Sequence, residues 1–303
     1  MPTENRPNLF IVGAQKSGTS ALAGWLSQHP QVCMSFPKEP GYLAFGEEGY
    51  NYLDGYGKTT PASGYVVRDE ATYLSLFAHA TPRQRILAEA STWYFALPGT
   101  ARKLYSFNPA ARIMMILRDP VERAYSAWCH ARSDQREPCA NFSDALALES
   151  RRGEVEFLLR YRRMGLYSQA LAEYRATFPE EQILTLFYDD LRANPGALWQ
   201  AVCQFLAIDS ANPPQFGHRY NRSGRPRNRW LHRALRSHPI RRALRPFVPH
   251  RFAIAVKQRL DDMNLDTFPA MDAQTRAELR QYYRADIEQL GRLTGRDLSA
   301  WLQ

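Results

Sequence analysis

Long apolar runs are missing from this sequence. Nothing in its 303 residues approaches the ~20 apolar residues of a membrane-spanning helix. The opening residues, MPTENRPN, hold no apolar segment of the kind that begins a secretory leader. The expectation is a cytoplasmic chain, at most peripheral to a membrane. Cysteine is scarce: Cys33, Cys129, Cys139 and Cys203 are scattered, with no C-x-x-C pair. That argues against a zinc site or a disulfide framework and points to reduced, structural thiols. Asn141, in an N-F-S triplet, would matter only in a secreted protein. Repeats and low-complexity tracts are absent as well, so a solenoid is not expected. Acidic residues disappear between Arg219 and Arg251, where eleven arginines occur.

What is present suits one large domain: 45% hydrophobic and 12% aromatic residues over 303 positions. The net charge of +9 favours acidic ligands, acidic glycans, nucleic acid or anionic membrane as partners. Strand-length apolar runs lie at Leu9–Val12, Gln31–Met34, Ile86–Ala90, Arg112–Leu117 and Gln182–Phe187. Segments of helical character lie between and after them, at Ser20–Gln28, Glu70–Ala78, Gly99–Phe107, Pro120–Arg132 and Leu166–Thr177. This alternation predicts an α/β fold of three layers (α/β/α), with a mostly parallel central sheet covered on both faces. Ligands of such sheets bind beyond the carboxyl ends of the strands. A single domain is expected over residues 1–303. It comprises a core at about 8–210, an arginine-rich loop or flap at about 211–251, and C-terminal helices at about 251–303. Two helices are read in that last part, Arg251–Met263 and Ala273–Leu293.

The stretch FIVGAQKSGTSAL reads strand, glycine-bearing turn, helix. Backbone N–H groups in such a turn, at a helix N-terminus, bind an oxyanion. The nucleotide-hydrolase form places lysine directly after the second glycine. Here Thr19 stands there, and the lysine is Lys16, inside the loop. The next clue is ILRDPVERAYSAW. Asp119 is a plausible N-cap and Pro120 a first helical residue. Val121, Ala124, Tyr125 and Trp128 form one apolar stripe, with Ser126 at its edge. A kinase would end this strand with an aspartate for Mg²⁺, whereas Arg118 comes first, a residue suited to a second anion. Asp119 as a metal ligand keeps an ATP-Mg kinase open as an alternative. Glu39, in KEPGYLAF, leaves the sheet at the same edge as the phosphate turn. A carboxylate there could take a proton from an acceptor hydroxyl or amine, although an exposed loop glutamate is the commoner fate.

Together, FIVGAQKSGTSAL, KEPGYLAF, EASTWYF, ILRDPVERAYSAW and MGLYSQALAEYRATFPEEQILTLFYDDL resemble, in the same order, the sulfotransferases that use 3′-phosphoadenosine-5′-phosphosulfate. The resemblance is strongest to the branch that holds the heparan-type glycan sulfotransferases and their bacterial relatives. It covers nearly the whole chain and implies a P-loop-like fold, that donor as co-substrate, 3′,5′-bisphosphate (PAP) as product, and no metal. It implies Ser17, Gly18, Thr19 and Ser20 at the 5′-phosphate, with Lys16 near the bridging oxygen. Arg118 and Ser126 would hold the 3′-phosphate, and Ser223, Gly224 and Arg225 would close over it. Glu39 would be the base, with Lys38 in an assisting role. The motifs also depart from the branch. KEPGYL lacks the usual histidine after Lys-Glu-Pro, and EASTWYF lacks the usual lysine and proline. Lys38, Tyr42, Glu89, Ser91 and Thr92 are the acceptor-pocket candidates.

The acceptor is open: a small molecule, a glycan or a lipid-linked alcohol or amine. Trp230, Leu231, Ile240 and Phe247 are interleaved with arginines, which suits a solvated outer face or a flap at an anionic membrane. A nucleic-acid-binding protein is the alternative of another class. No helix-turn-helix, zinc or RNA-binding signature supports it.

Overall fold

The computed structural model describes residues 6–46, 51–61, 67–211, 213–216, 225–226 and 265–303. Five parallel strands form the central sheet: β1 (Leu9–Gly13), β2 (Val32–Met34), β5 (Ile86–Ala90), β6 (Arg112–Leu117) and β7 (Ile183–Phe187), in the order β2-β5-β1-β6-β7. All five match the apolar runs of the sequence to within a residue or so. The reason is burial on both faces. Leu9 and Ile11 pack into one apolar cluster while Phe10 and Val12 pack into the other. Met114 and Ile116 alternate in the same way with Ile113, Met115 and Leu117. A small antiparallel hairpin, β3 (Asn51–Leu53) with β4 (Thr59–Pro61), stands apart from this sheet.

Helices cover both faces. α1 (Thr19–Leu26) and α10 (Pro195–Leu206) contribute Leu22, Trp25, Leu26, Leu198, Trp199 and Val202 to the cluster of Leu9 and Ile11. On the other face lie α2 (Tyr42–Phe45), α3 (Glu70–Ser75), α4 (Trp93–Ala96), α5 (Thr100–Phe107), α6 (Pro120–Ser133), α7 (Phe142–Leu148), α8 (Ser168–Thr177) and the C-terminal α11 (Ala273–Thr294). α9 (Tyr188–Ala193) follows directly on β7. The helix expected over Glu70–Ala78 ends at Ser75, and the one expected from Leu166 begins at Ser168. The expected helix Arg251–Met263 falls outside the described residues.

Two caps set the frame of the site. Asp119 Oδ1 accepts from Val121 N at 2.8 Å, and Pro120 opens α6, as its sequence signals indicate. α8 has no local side-chain cap. Asp286 of α11 supplies one from 118 residues away, accepting from the Ser168 amide at 3.1 Å and from its hydroxyl at 2.5 Å. The same carboxylate accepts from Tyr167 N at 2.8 Å. The C-terminal helix therefore fixes Tyr167, whose hydroxyl donates to the Arg118 carbonyl.

Candidate active site

The chain reverses direction across the sheet at β1, with β5 on one side and β6 on the other. This is the topological switch point where α/β sheets hold ligands. Four segments meet at that edge: Ala14–Ser20 after β1, Ser35–Gly41 after β2, Ser91–Thr92 after β5 and Arg118–Asp119 after β6.

The phosphate turn needs its glycines. Gly18 has φ +106°, a left-handed conformation, and a Cβ there would come within 3.1 Å of the Tyr188 ring. A Cβ on Gly13 would lie 2.5 Å from Phe95 Cβ, so β1 sits directly on α4. Lys16 also takes a positive φ, +65°, unusual for a residue with a side chain and characteristic of functional turns. α1 starts at Thr19 with no side-chain cap, so the positive end of its dipole faces the turn uncapped. Ser17 is fully buried, and its amide donates to Ala14 O.

Cations gather around this turn. Burial pushes the Lys16 ammonium down to about 8, and Arg118, Arg136 and Lys38 add like-charge repulsion. Arg118 donates from Nη1 to Lys16 O at 3.2 Å. Its guanidinium lies 4.8 Å from the centre of the Tyr188 ring, and its carbonyl accepts from Tyr167 OH at 3.0 Å. Glu122, one turn into α6, contacts Arg118 at 3.9 Å and is held by Arg276 of α11 at 2.6 Å. Ser126 lies one further turn along the same helix, on the face of Glu122. Such a group of cations, uncapped amides and hydroxyls fits a ligand with more than one anionic group. Asp119 is spent on capping α6, with burial holding its carboxyl above the ordinary carboxylate range.

The strand-β2 exit brings the carboxylate. Glu39 stands at φ +63°, its amide donating to Ala90 O at 3.1 Å. Lys38 Nζ donates to Glu39 Oε1 at 2.8 Å and to Ser20 Oγ at 3.2 Å, and lies 3.5 Å from Thr19 Oγ1. One ammonium thus joins the carboxylate to the hydroxyls of the phosphate turn.

The pocket candidates divide. Glu89 and Ser91 are fully buried, beneath the Lys38–Glu39 loop instead of on the cleft wall. Burial raises the Glu89 carboxyl to about 7, against the opposing hydrogen bonds of Ser91, Tyr73 and Tyr94. Tyr42 is half-buried in α2, tilted against Tyr73 at 5.0 Å between ring centres. Thr92 lines a cavity of about 260 Å³ beside the phosphate turn, with Ala14, Gln15, Tyr94, Phe157 and Arg160. Ser223 and Gly224 lie outside the described residues. For Arg225 the structure gives only its place in a two-residue strand, β8 (Arg225–Pro226), paired with β9 (Leu265–Asp266). Tyr73, Tyr94, Arg136, Tyr167 and Tyr188 joined the site only in three dimensions. Three of them carried one signal, their place inside a quoted motif: Tyr94 in EASTWYF, Tyr167 and Tyr188 in MGLYSQALAEYRATFPEEQILTLFYDDL. Among the described residues, no group of three or more His, Cys, Asp or Glu could hold a metal ion.

Fold and site define a group-transfer protein with a P-loop-like turn, an arginine at the strand end on one side of it and a carboxylate at the strand exit on the other. The chain belongs to the Sulfotransferase family, whose model matches residues 7–212. It is 30% identical over 213 residues to the bifunctional heparan sulfate N-deacetylase/N-sulfotransferase 1 of Caenorhabditis briggsae, a match covering 67% of this chain and 23% of that protein. The human N-deacetylase/N-sulfotransferase 2 is 28% identical over 210 residues, covering 67% and 22%. The chain thus spans under a quarter of the length of these curated relatives. The crystal structure of a sulfotransferase from Alicyclobacillus acidocaldarius superimposes with a TM-score of 0.74 at 29% identity, covering 98% of this chain and 99% of that one.

Proposed function

We propose that the protein transfers a sulfuryl group from 3′-phosphoadenosine-5′-phosphosulfate to an amine or hydroxyl of a glycan acceptor. The carrying observation is the Lys38 bridge, which places Glu39 beside the hydroxyls of the phosphate turn. The turn amides, Thr19 and Ser20 hold the 5′-phosphate, and Lys16 offsets the charge left on it. Arg118 and Ser126 take the 3′-phosphate. Ser223, Gly224 and Arg225 are assigned to the same phosphate on resemblance alone. Glu39 removes the acceptor proton as the acceptor–sulfur bond forms and the bond between sulfur and the 5′-phosphate oxygen breaks. Lys38 aims the carboxylate. Catalysis of this kind is mainly positioning and electrostatics. The glycan class rests on the heparan sulfate relatives. All four cysteines are free, which suits a reducing, cytoplasmic compartment.

Thermal stabilisation by PAP, beside 5′-AMP, ADP and ATP, each with Mg²⁺ and with EDTA, tests the donor site. A ligand at 100 times its Kd adds ~2.7 kcal/mol to the native state. The expected result is a shift that depends on the 3′-phosphate and is indifferent to EDTA. A shift only with ATP and Mg²⁺ would mean a kinase. Transfer of ³⁵S from the labelled donor to N-deacetylated heparosan then tests the acceptor class.

A further inference from the structure

Beneath the Lys38–Glu39 loop lies a carboxylate ringed by hydroxyls. Glu89 is the fourth residue of β5, fully buried. Ser91 Oγ donates to its Oε1 at 2.6 Å, Tyr73 OH donates to its Oε2, and the Tyr94 hydroxyl also bonds to it. Two of these hydroxyls do a second thing. Ser91 Oγ accepts from Gly41 N, and Tyr94 OH accepts from Leu43 N, each at 3.3 Å.

A hydroxyl has one proton to give. An ionised carboxylate only accepts, so it draws the protons of Ser91 and Tyr94 toward itself. Their lone pairs are then left facing the loop amides. Glu39, Gly41 and Leu43 alternate along the loop and into the first turn of α2, and each amide is fixed to the β5–α4 segment: to Ala90 O, Ser91 Oγ and Tyr94 OH in turn. The positive φ of Glu39 persists because this pinning over-determines it.

We propose that Glu89 is a positioning residue: its buried carboxylate orients the Ser91 and Tyr94 hydroxyls to hold Gly41 and Leu43, and so sets where Glu39 meets an acceptor. This rests on the reading of Glu39 as the base. The titratable groups facing Glu89 are Tyr73 from α3, Tyr94 from α4, Tyr174 from α8 and, from the loop itself, Glu39. In Glu89→Gln the side chain has one accepting oxygen and a donating NH₂. That NH₂ can face Ser91 or Tyr94 only if the hydroxyl turns its own proton away from residue 89, toward the side from which the Gly41 or Leu43 amide donates, and the amide bond weakens there.

Amide-resolved hydrogen exchange at pH 8 tests the device directly, without an acceptor. Glu89→Gln should speed exchange at Gly41 or Leu43 about tenfold, the usual weight of one hydrogen bond. Ser91→Ala should do so at Gly41 alone, and Tyr94→Phe at Leu43 alone. These two variants leave the carboxylate in place should Glu89→Gln fold poorly. With ³⁵S-labelled donor and N-deacetylated heparosan, Glu89→Gln should lower kcat while leaving the donor KM and the PAP-induced thermal shift as in wild type. Unchanged exchange in folded Glu89→Gln would overturn the proposal. So would Ser91→Ala and Tyr94→Phe each accelerating both amides, since that is general loosening. Failure of wild type to bind PAP would instead sink the sulfuryl-transfer reading, and the exchange pattern would remain as measured.

Discussion

Replacing Glu89 with glutamine should stabilise the protein in alkaline buffer relative to acid, even while it disturbs the active-site loop. Burial moves this carboxyl from 4.5 to about 7. The native state therefore keeps a proton that the unfolded chain releases. Wild-type stability is fully present below the unfolded value and falls as pH rises through about 7. At 1.36 kcal/mol per pH unit, the whole effect is about 3 kcal/mol, of which roughly 2–3 kcal/mol lies between pH 5 and pH 8. Glutamine does not titrate, so Glu89→Gln escapes that loss. The assay is guanidinium unfolding of both proteins at pH 5 and pH 8, followed by tryptophan fluorescence. The gap between mutant and wild type should move by roughly 2–3 kcal/mol in the mutant's favour on going to pH 8, an amount set by ionisation alone. A gap that does not move would refute the reasoning: the three hydroxyls would then fully offset desolvation. Movement in the opposite direction would mean that the charged form is the one folding prefers. The expected outcome describes a protein that gives up stability above about pH 7 to keep a carboxylate where the loop needs it.

Other outcomes follow from the same geometry. Glu39→Gln should keep the PAP-induced thermal shift and lose ~10²–10⁴ in turnover, and unchanged turnover would remove it as base. Lys16 is depressed to about 8 by burial and by Arg118, Arg136 and Lys38, so it loses its charge as pH rises through that value. PAP affinity measured by calorimetry should therefore fall from pH 7 to pH 9, and a flat profile would contradict the assignment. Arg118→Lys keeps the charge but not the planar fork or its seat over Tyr188, and should narrow the preference for PAP over 5′-AMP about tenfold. Gly18→Ala, at φ +106° and 3.1 Å from Tyr188, should cost about 1–2 kcal/mol, visible as a lower Tm and weaker PAP binding.

Much of the architecture was legible in the chain. The five sheet strands could be read because each is largely buried on both faces and so mostly apolar, with Glu89 in β5 the buried exception. The phosphate turn and the Asp119–Pro120 cap were equally local, each written in adjacent residues. α10 carried comparable signs, Asn194 and Pro195 before an apolar stripe, although the reading stopped short of it. The short α2 and α4 left no periodicity to detect, being four residues each. The phosphate turn and Arg118 together already suggested a ligand with two anionic groups, while Glu39 stood out only through the resemblance.

What tertiary structure alone decided is how those residues are held. Glu89 and Ser91 looked like pocket-lining residues from their motif, yet the fold buries both and sets Tyr73 and Tyr94 around the carboxylate. Lys38 ties Glu39 to Ser20 from 18 residues away, and Arg118 reaches back to the Lys16 carbonyl across 102. α11 reaches the arginine twice, through Asp286 to Tyr167 and through Arg276 to Glu122. Strand burial and turn chemistry are local, so the sequence by itself determined which strands form and where the glycine-bearing turn lies. A hydroxyl's direction, a carboxylate's desolvation and a cation's neighbours depend on groups far apart in the chain, and only the packed structure brings them within reach.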